Sequence, residues 1–588
     1  MQEQKLNLGT HVAAQYPAES FTRSEAAILQ RYFTNLDQPV FAIVNLPEVV
    51  KGALFARYSR SPKSLRRLFL DEFADNAPNP EDTRSGEEGE QEASLVGVER
   101  AERLYERVFV EFGDDSVAQL GGVHLACEQA SNLLTKVLER GRLMAYLEQS
   151  TRYIAYNARL PTGRYRYYRG PEILSSPLGA RYVGDMDQMF DSYSSLLEKL
   201  LGYLPARHPK DPGDSDFVHR QALRAKALDL ARGLLPAATL SSVGIYGTGQ
   251  AFESLLIRMR SHPLAEARSY AELMLTELRK VIPSYLRRVD DPTRGGSQSR
   301  YLEQTRESTL QVAKETLSSL RDLGGRSLRS TSRTSEVAKS WVDESIAAVA
   351  SEVGAHVSLT DFDPQGENKV IAAMLYAASN LSDTALLAAV EEMSDEERAE
   401  VVRAYVGERR NRREKPGRAF ERTSYRFDIV SDYGAFRDLQ RHRMLTIEWQ
   451  SLGTWLGYVV PDEVVEAGLE RGYRHCLEIS GALYDDMLKE IPGEAQYAVS
   501  FAYHLRYVMQ MSAREAMHLI ELRSSPQGHS SYRWLVQQMH ELIRTKAGHR
   551  HIAAAMSFVS TEDVSLERLS SERRSETRRA ALQQPGHE

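Results

Sequence analysis

Apolar positions recur at helical spacing over most of the chain, broken by short alternating stretches and polar punctuation. Ser61 to Phe73 sets Leu65, Leu68 and Phe69 on one side, with Ser61 and Pro62 as cap and first helical position. Gly113 to Ser116 leads into a long helical pattern through Val117, Leu120, Val123, Ala126, Leu133 and Val137. That pattern carries His124 and Glu128 one turn apart. With no other ligand near it in sequence, His124 reads as a core or interface histidine. Further helices are predicted from Phe217, around Phe252, Leu255 and Leu256, and over Ala265 to Leu278, Tyr301 to Leu320, Val337 to Val353, Glu367 to Asn380, Asp383 to Val402 and Ser512 to Arg523. Two strand candidates stand out: Phe41 to Val44, and an alternating stretch at Tyr425, Phe427 and Ile429 that reads as half-buried. Ser431 or Asp432 then caps a short helix through Tyr433 to Arg443. Asn76 to Ser94, the proline-marked insertion over 160–215, Asp290 to Arg300 and Gly324 to Ser335 read as loops. The polar last twenty residues, Leu569 to Glu588, read as a disordered tail.

Composition narrows the class. The chain has 588 residues, 42% hydrophobic and 26% charged, as in an ordinary globular protein of two or more domains. No apolar run approaches membrane-spanning length, and Met1 to Thr10 lacks the apolar core of a signal peptide. A net charge of −7 disfavours bulk nucleic-acid binding. Cys127 and Cys476 stand alone, without metal or disulfide spacing, so a reducing cytoplasm is the expected compartment and no metal site is expected.

One pattern occurs twice. Ser451 follows Arg441-His442-Arg443 ten residues after the first arginine, and Ser150 follows Arg140-Gly141-Arg142 at the same spacing, 301 residues earlier. Ala231-Arg232 and Ala495-Gln496 also correspond: Arg260 lies 28 residues after Arg232, and Arg523 lies 27 after Gln496. The repeat implies tandem duplication. The expected fold class is α+β, helix-rich, with two homologous domains that each pack a small, mostly antiparallel sheet with several helices. The domains are expected at 1–290 and 336–588, with a linker over 291–335. Two guanidiniums and an imidazole in a row suit a phosphate, or a ring that acquires negative charge. They equally describe a solvated helix end facing its own dipole.

Arginine-histidine-arginine, seven residues, then serine resembles the signature of flavin-dependent thymidylate synthases. The second half matches in full. The first half has Gly141 for the histidine but keeps Glu148, Ser150, Arg152 and Tyr153. The resemblance implies reductive methylation of dUMP to dTMP with FAD, NADPH and methylenetetrahydrofolate. It also implies a nucleotide site shared between partnered subunits. Carried over residue by residue, the first half supplies the nucleotide side: Glu148, Gln149, Ser150, Thr151, Arg152 and Arg232. In the second half, Trp449, Ser451, Gly453 and Gln496 stand at the corresponding places, so only the serine survives. The second half instead supplies Gln440, Arg441 and Arg523. It offers the flavin Arg441, His442, Arg443, Glu421, Ser512, Arg514 and His518. The first half's late helix has Gly249, Ala251 and Leu255 in place of polar residues. One composite site per pair of unlike halves follows, with Arg523, His442 and Ser150 as catalytic candidates and the reciprocal site inactive. A homodimer would make a pseudo-tetramer of domains. Asp438 stands where the family has glutamine, and Ser512 where asparagine is usual.

Two other readings compete. One is a repurposed flavin or nucleotide binder without methyl transfer. The other is a nucleic-acid-binding protein that uses the basic segments Arg409 to Arg418 and Arg441 to Arg443, with Tyr425 and Phe427 near as stacking platforms.

Overall fold

The computed structural model describes residues 19–58, 61–74, 119–327, 355–562 and 566–583, with side chains described to 316 and 579 in the two helices that end these stretches. The expected loop at 76–94 and helix Val337 to Val353 lie outside them. The architecture is α+β and helix-rich, with two small antiparallel sheets. Among the described residues no helix is long and apolar enough to cross a membrane.

Two compact units are present. The first comprises Met1–Cys127, Leu143–Leu147 and Val243–Lys314; the second comprises Glu128–Arg142, Glu148–Ser242 and Glu315–Glu588. The second unit therefore draws on both halves of the repeat.

The first unit's sheet has strands β1 (Gly122–Ser131), β2 (Met144–Glu148) and β3 (Leu240–Thr248), ordered β1-β3-β2. β1 corrects the expected long helix. Val123 and Cys127 turn inward while His124 and Ala126 turn out, a period of two that also fits part of a helical pattern. Gln129 then takes a positive φ of 54°, and Ser131 caps the helix Asn132–Leu138. His124 is exposed, its ring 4.5 Å from that of Tyr246, so it is not a core histidine. Ser64, not Ser61, caps the helix Leu65–Glu72. Phe41 to Val44 forms only a single bridge, Ile43 with Phe33. The helix expected from Tyr301 begins earlier, at Gly295, inside the expected loop.

The second unit's sheet has strands β4 (His356–Phe362), β5 (Ser424–Asp432), β6 (Leu445–Trp449) and β7 (His504–Ser512), ordered β4-β5-β7-β6. The expected strand at Tyr425 is β5, with Tyr425, Phe427 and Ile429 opposite Met511, Met509 and Tyr507. All three are fully buried, so neither Tyr425 nor Phe427 presents a face to a nucleic-acid base. The basic segment is likewise tied down at its ends: Arg409 forks onto buried Glu521 at 2.6 and 2.7 Å, and Arg418 pairs with Glu421.

Three further expectations change. The insertion contains a 29-residue helix, Gly179–Arg207, with Pro205 in its last turn. Tyr182, Met186, Met189, Tyr193, Leu197, Leu200 and Leu204 form its buried stripe. The expected helix from Asp383 splits at Ser394, which forms a capping box with Glu397. The expected disordered tail is helical over Leu569–Gln583.

The two copies meet within the second unit on a local twofold. Ala237 N donates to Val499 O at 2.8 Å and Phe501 N to Leu235 O at 2.9 Å, with Pro236 bridging Ser500. Every residue of this exchange is 264 positions from its counterpart. Equivalent residues thus face each other, as in an isologous dimer compressed into one chain.

Candidate functional site

β5 delivers the central motif. Asp432 ends the strand and accepts from Ala435 N at 2.8 Å, capping the helix Tyr433–Leu439. The helix stops four residues before the expected Arg443, and the basic residues turn out to seek partners elsewhere. Arg437 and Asp438, one helical turn before Arg441 and His442, are buried.

These residues meet the first copy's loop. Arg437 Nη2 donates to Glu148 Oε1 at 3.0 Å, and Arg437 Nη1 reaches Thr151 Oγ1 at 3.5 Å. Glu148 also takes Lys136 Nζ at 3.1 Å, and Lys136 pairs with Glu139 at 2.5 Å. Burial pushes the Glu148 carboxyl up, but the nearby Lys136, Arg437 and Arg441 charges outweigh it and hold it well below the carboxylate range. Glu139 is raised, because burial dominates there. Glu148 therefore anchors Arg437 and leaves little accepting capacity for a ligand.

Asp438 is the junction of the two copies. It pairs with Arg441 from its own turn and lies 3.5 Å from Arg232 Nη1 of the first copy. Burial raises its carboxyl, but Arg441, Arg232, Arg523 and Arg152 more than offset this and keep it strongly ionised. Arg152 forks onto Asp229 at 2.6 and 2.5 Å and touches Tyr532 Oη at 3.3 Å. Arg523 lies over the same Tyr532 ring, 5.6 Å from its centroid. Three guanidinium donors of this cluster are buried without partners among the described residues: Arg232 Nη2, Arg437 Nε and Arg441 Nε. An unsatisfied buried guanidinium nitrogen marks a place where an anionic ligand fits.

Arg523 reaches the other flank too. Its Nε donates to His442 Nε2 at 3.0 Å. Burial, then Arg523 and Arg441, push His442 well below the usual histidine range, so the ring is neutral. Because Nε2 accepts, the ring proton sits on Nδ1 and points to Glu515 Oε1 at 3.1 Å. His518, lowered to about 4 mainly by burial, is 5.5 Å from His442 between ring centroids. His442, Glu515 and His518 bring ligand atoms within 4.8 Å of one another, the one such cluster among the described residues. A cation there would have to displace the Nδ1 proton and face Arg523 and Lys415, both close enough to perturb these rings. The cluster therefore reads as a hydrogen-bond network.

The remaining expected residues fall around this centre. Ser150 Oγ accepts from Arg152 N at 3.3 Å, a local turn that leaves its proton free to donate. Gln149 is tied by its backbone to Ser242, and Gln440 is buried with Nε2 3.4 Å from Lys136 O. Ser512 caps the late helix Ala513–Arg523 by accepting from Glu515 N. Arg514 donates to Pro416 O at 3.1 Å and to Glu421 at 3.3 Å. Arg443 is exposed. Thus Glu148, Thr151, Arg152, Arg232, Arg441, His442 and Arg523 come together, while Glu421, Arg514 and Ser512 form an outer group.

The structure shifts one register. Thr248 caps Gly249–Arg260 as Ser512 caps Ala513–Arg523, again 264 apart. Counted from the caps, Thr248, Gln250 and Ser254, not Gly249, Ala251 and Leu255, stand at Ser512, Arg514 and His518. By the same count Met259, not Arg260, stands at Arg523, and Arg260 pairs with Glu272 at 2.7 Å.

Sequence reading missed Arg437, Asp229, Lys136, Glu515 and Tyr532. Arg437 and Asp229 each sit one helical turn before a motif arginine, which is a usable signal. Tyr532 has none.

The family model described as thymidylate synthase complementing protein matches residues 62–284 and 358–547. A UPF0159 protein of Chlamydia pneumoniae is 38% identical over 516 residues, spanning 88% of this chain and 91% of its own. A UPF0159 protein of Thermoplasma acidophilum is 30% identical over 548 residues, spanning 88% and 97%. Among solved structures, the UMP/dUMP methylase PolB from Streptomyces cacaoi bound with 5-Br dUMP matches with a TM-score of 0.28 and 17% identity, over 34% of this chain and 95% of that one.

Proposed function

This chain belongs to the thymidylate synthase complementing protein family, and we propose that it methylates dUMP to dTMP reductively at one composite site built from its unlike copies. The observation that carries the reading is the link Arg232–Asp438–Arg441, which joins the first copy's nucleotide-side arginine to the second copy's motif in one buried cluster.

Methyl transfer to C5 of uracil needs electron density on that carbon. A thiolate attacking C6 is one route, but both cysteines are buried and their thiols raised by burial, to about 11 at Cys127 and about 12 at Cys476. Charge stabilisation is the other route. Arg523 stabilises the anionic pyrimidine in a site where desolvation strengthens every charge. Arg152 and Arg232 hold the phosphate, each contact contributing roughly 1.5 to 3 kcal/mol. Ser150 donates its hydroxyl proton to the ligand and has no base beside it that would make it a nucleophile. His442, kept neutral and aligned by Arg523 and Glu515, faces the flavin. When bound, FAD reduced by NADPH would supply the hydride, and methylenetetrahydrofolate would supply the carbon. Arg443, Lys415 and Arg514 fit the cofactor as cations around the neutral histidines. Ser512 is less suited, being engaged as a helix cap. Assembly as a dimer of chains would place four copies together.

An absorbance scan of purified protein followed by dUMP titration tests this. A flavin band that shifts on adding dUMP, with dTMP formed from NADPH and methylenetetrahydrofolate, is expected. A colourless protein that gains no flavin spectrum with added FAD sinks the proposal. Asp438, a fixed negative charge where the family has glutamine, favours the second reading: a flavin and nucleotide binder without methyl transfer. Bound flavin with no dTMP would establish it.

A further inference from the structure

Arg568, in the second unit, is part-buried and makes no ion pair among the described residues. Arg568 opens the C-terminal helix, and its Cζ lies 3.9 Å from the centroid of the Tyr153 ring, the residue after Arg152. Its Nε is buried and has no hydrogen-bond partner, and no ion pair to Arg568 is present among the described residues.

The chain on both sides of it is pinned. Glu567 takes Lys226 Nζ at 3.0 Å, and Lys226 also holds Glu463 at 2.5 Å. On the other side Arg573 Nη2 reaches Asp211 at 2.6 Å and Asp214 at 2.7 Å, and Ser215 donates to Glu576 at 2.5 Å. The backbone thus presents the Arg568 side chain to one place, on the motif loop. Burial, and then the nearby Arg152 charge, push Arg568 down to about 10, with Glu572 opposing. Arg152 is already paired with Asp229, so Arg568 is the cation on this loop that lacks an anion, and a part-buried cation in that state favours an anionic ligand. Arg232 Nη2, on the first copy like Arg152, is also buried and unpartnered.

We propose that Arg568 is a phosphate-binding residue, brought by the C-terminal segment onto the motif loop, that grips the phosphate of the substrate nucleotide beside Arg152. The nucleotide part rests on the composite-site reading; the anion part does not.

Calorimetry on the full chain with inorganic phosphate, dUMP and deoxyuridine tests it. Arg568→Gln keeps a planar head over Tyr153 and removes the charge. We expect it to lower affinity for dUMP and for inorganic phosphate about ten- to hundredfold while leaving deoxyuridine binding unchanged. Arg568→Lys is expected to recover part of the loss. Full dUMP affinity in Arg568→Gln overturns the assignment. An equal loss for deoxyuridine, which has no phosphate, also overturns it and marks a packing role. Arg568-dependent binding of inorganic phosphate without dUMP binding upholds the anion site and removes the nucleotide reading. Binding of neither by the wild-type chain overturns the anion site.

Discussion

Arg140 and Arg441 open the same pattern, yet they live in different surroundings. Arg140 is exposed and pairs with exposed Glu448 at 2.5 Å. Arg441 is one-third exposed at its side chain and closes on buried Asp438, which Arg232 approaches from the other copy. A cation in water is screened and does little beyond its immediate contact. A cation held among buried partners acts over several ångströms, because the local dielectric is low. The duplication therefore kept the spacing in both copies and kept the opening arginine among buried charges in one.

The comparison is broken most directly by truncating both arginines. Arg441→Ala is expected to lower kcat/KM on the order of 100- to 1000-fold, while Arg140→Ala stays within about twofold in the same assay. Comparable losses at both positions would mean that the copies share the work.

The counter-anions give the next largest contrast. Asp438→Asn leaves a group of guanidiniums uncompensated and is expected to cost about 3 to 5 kcal/mol of stability in urea unfolding. Glu448→Gln, on the exposed pair, is expected to cost under about 1 kcal/mol. The pH dependence has a definite sign. The folded-state value of Asp438 is depressed, so its contribution is complete above the unfolded value, about pH 4, and is lost as pH falls toward the folded one. Asp438→Asn is expected to remove that part of the acid limb.

A smaller effect comes from the histidines. Burial depresses His442, His518 and His529. The unfolded chain therefore binds protons that the folded chain refuses below about pH 6.5, and stability declines as pH drops through that region. His442→Asn is expected to flatten this decline, read from unfolding midpoints between pH 7 and pH 5. A decline unchanged in the variant would remove His442 as a contributor.

The smallest effect is expected from restoring the signature. Gly141→His completes the triplet in the first copy, but Arg260 remains paired with Glu272 and Gln250 stands at the place of Arg514. Turnover is expected to stay unchanged, and a gain would show that the first copy lacks only its histidine.

What could be read in advance follows from how local each feature is. β5, its Asp432 cap and the late helix from Ser512 rest on alternation, a capping residue and 3.6-residue spacing, all carried by neighbours in sequence. β1 was misread because Val123, Ala126 and Leu133 satisfy a helical template while Val123 and Cys127 satisfy a strand, and only pairing with β3 selects the latter. The helix Gly179–Arg207 is masked in the sequence by Pro205 in its last turn and by Pro209 and Pro212 after it, although its apolar stripe is regular. The C-terminal helix has a polar sequence and gains its order from Asp211, Asp214 and Lys226, which lie more than 340 residues away.

The sequence alone determined the duplication and the spacing from arginine to serine, because spacing and residue type are properties of the chain itself. Only the tertiary structure decided which arginines are buried, that Asp438 stands between Arg232 and Arg441, and that Arg523 orders His442. Burial and charge pairing are set by groups hundreds of residues apart, and no local pattern carries the dielectric in which a side chain will sit.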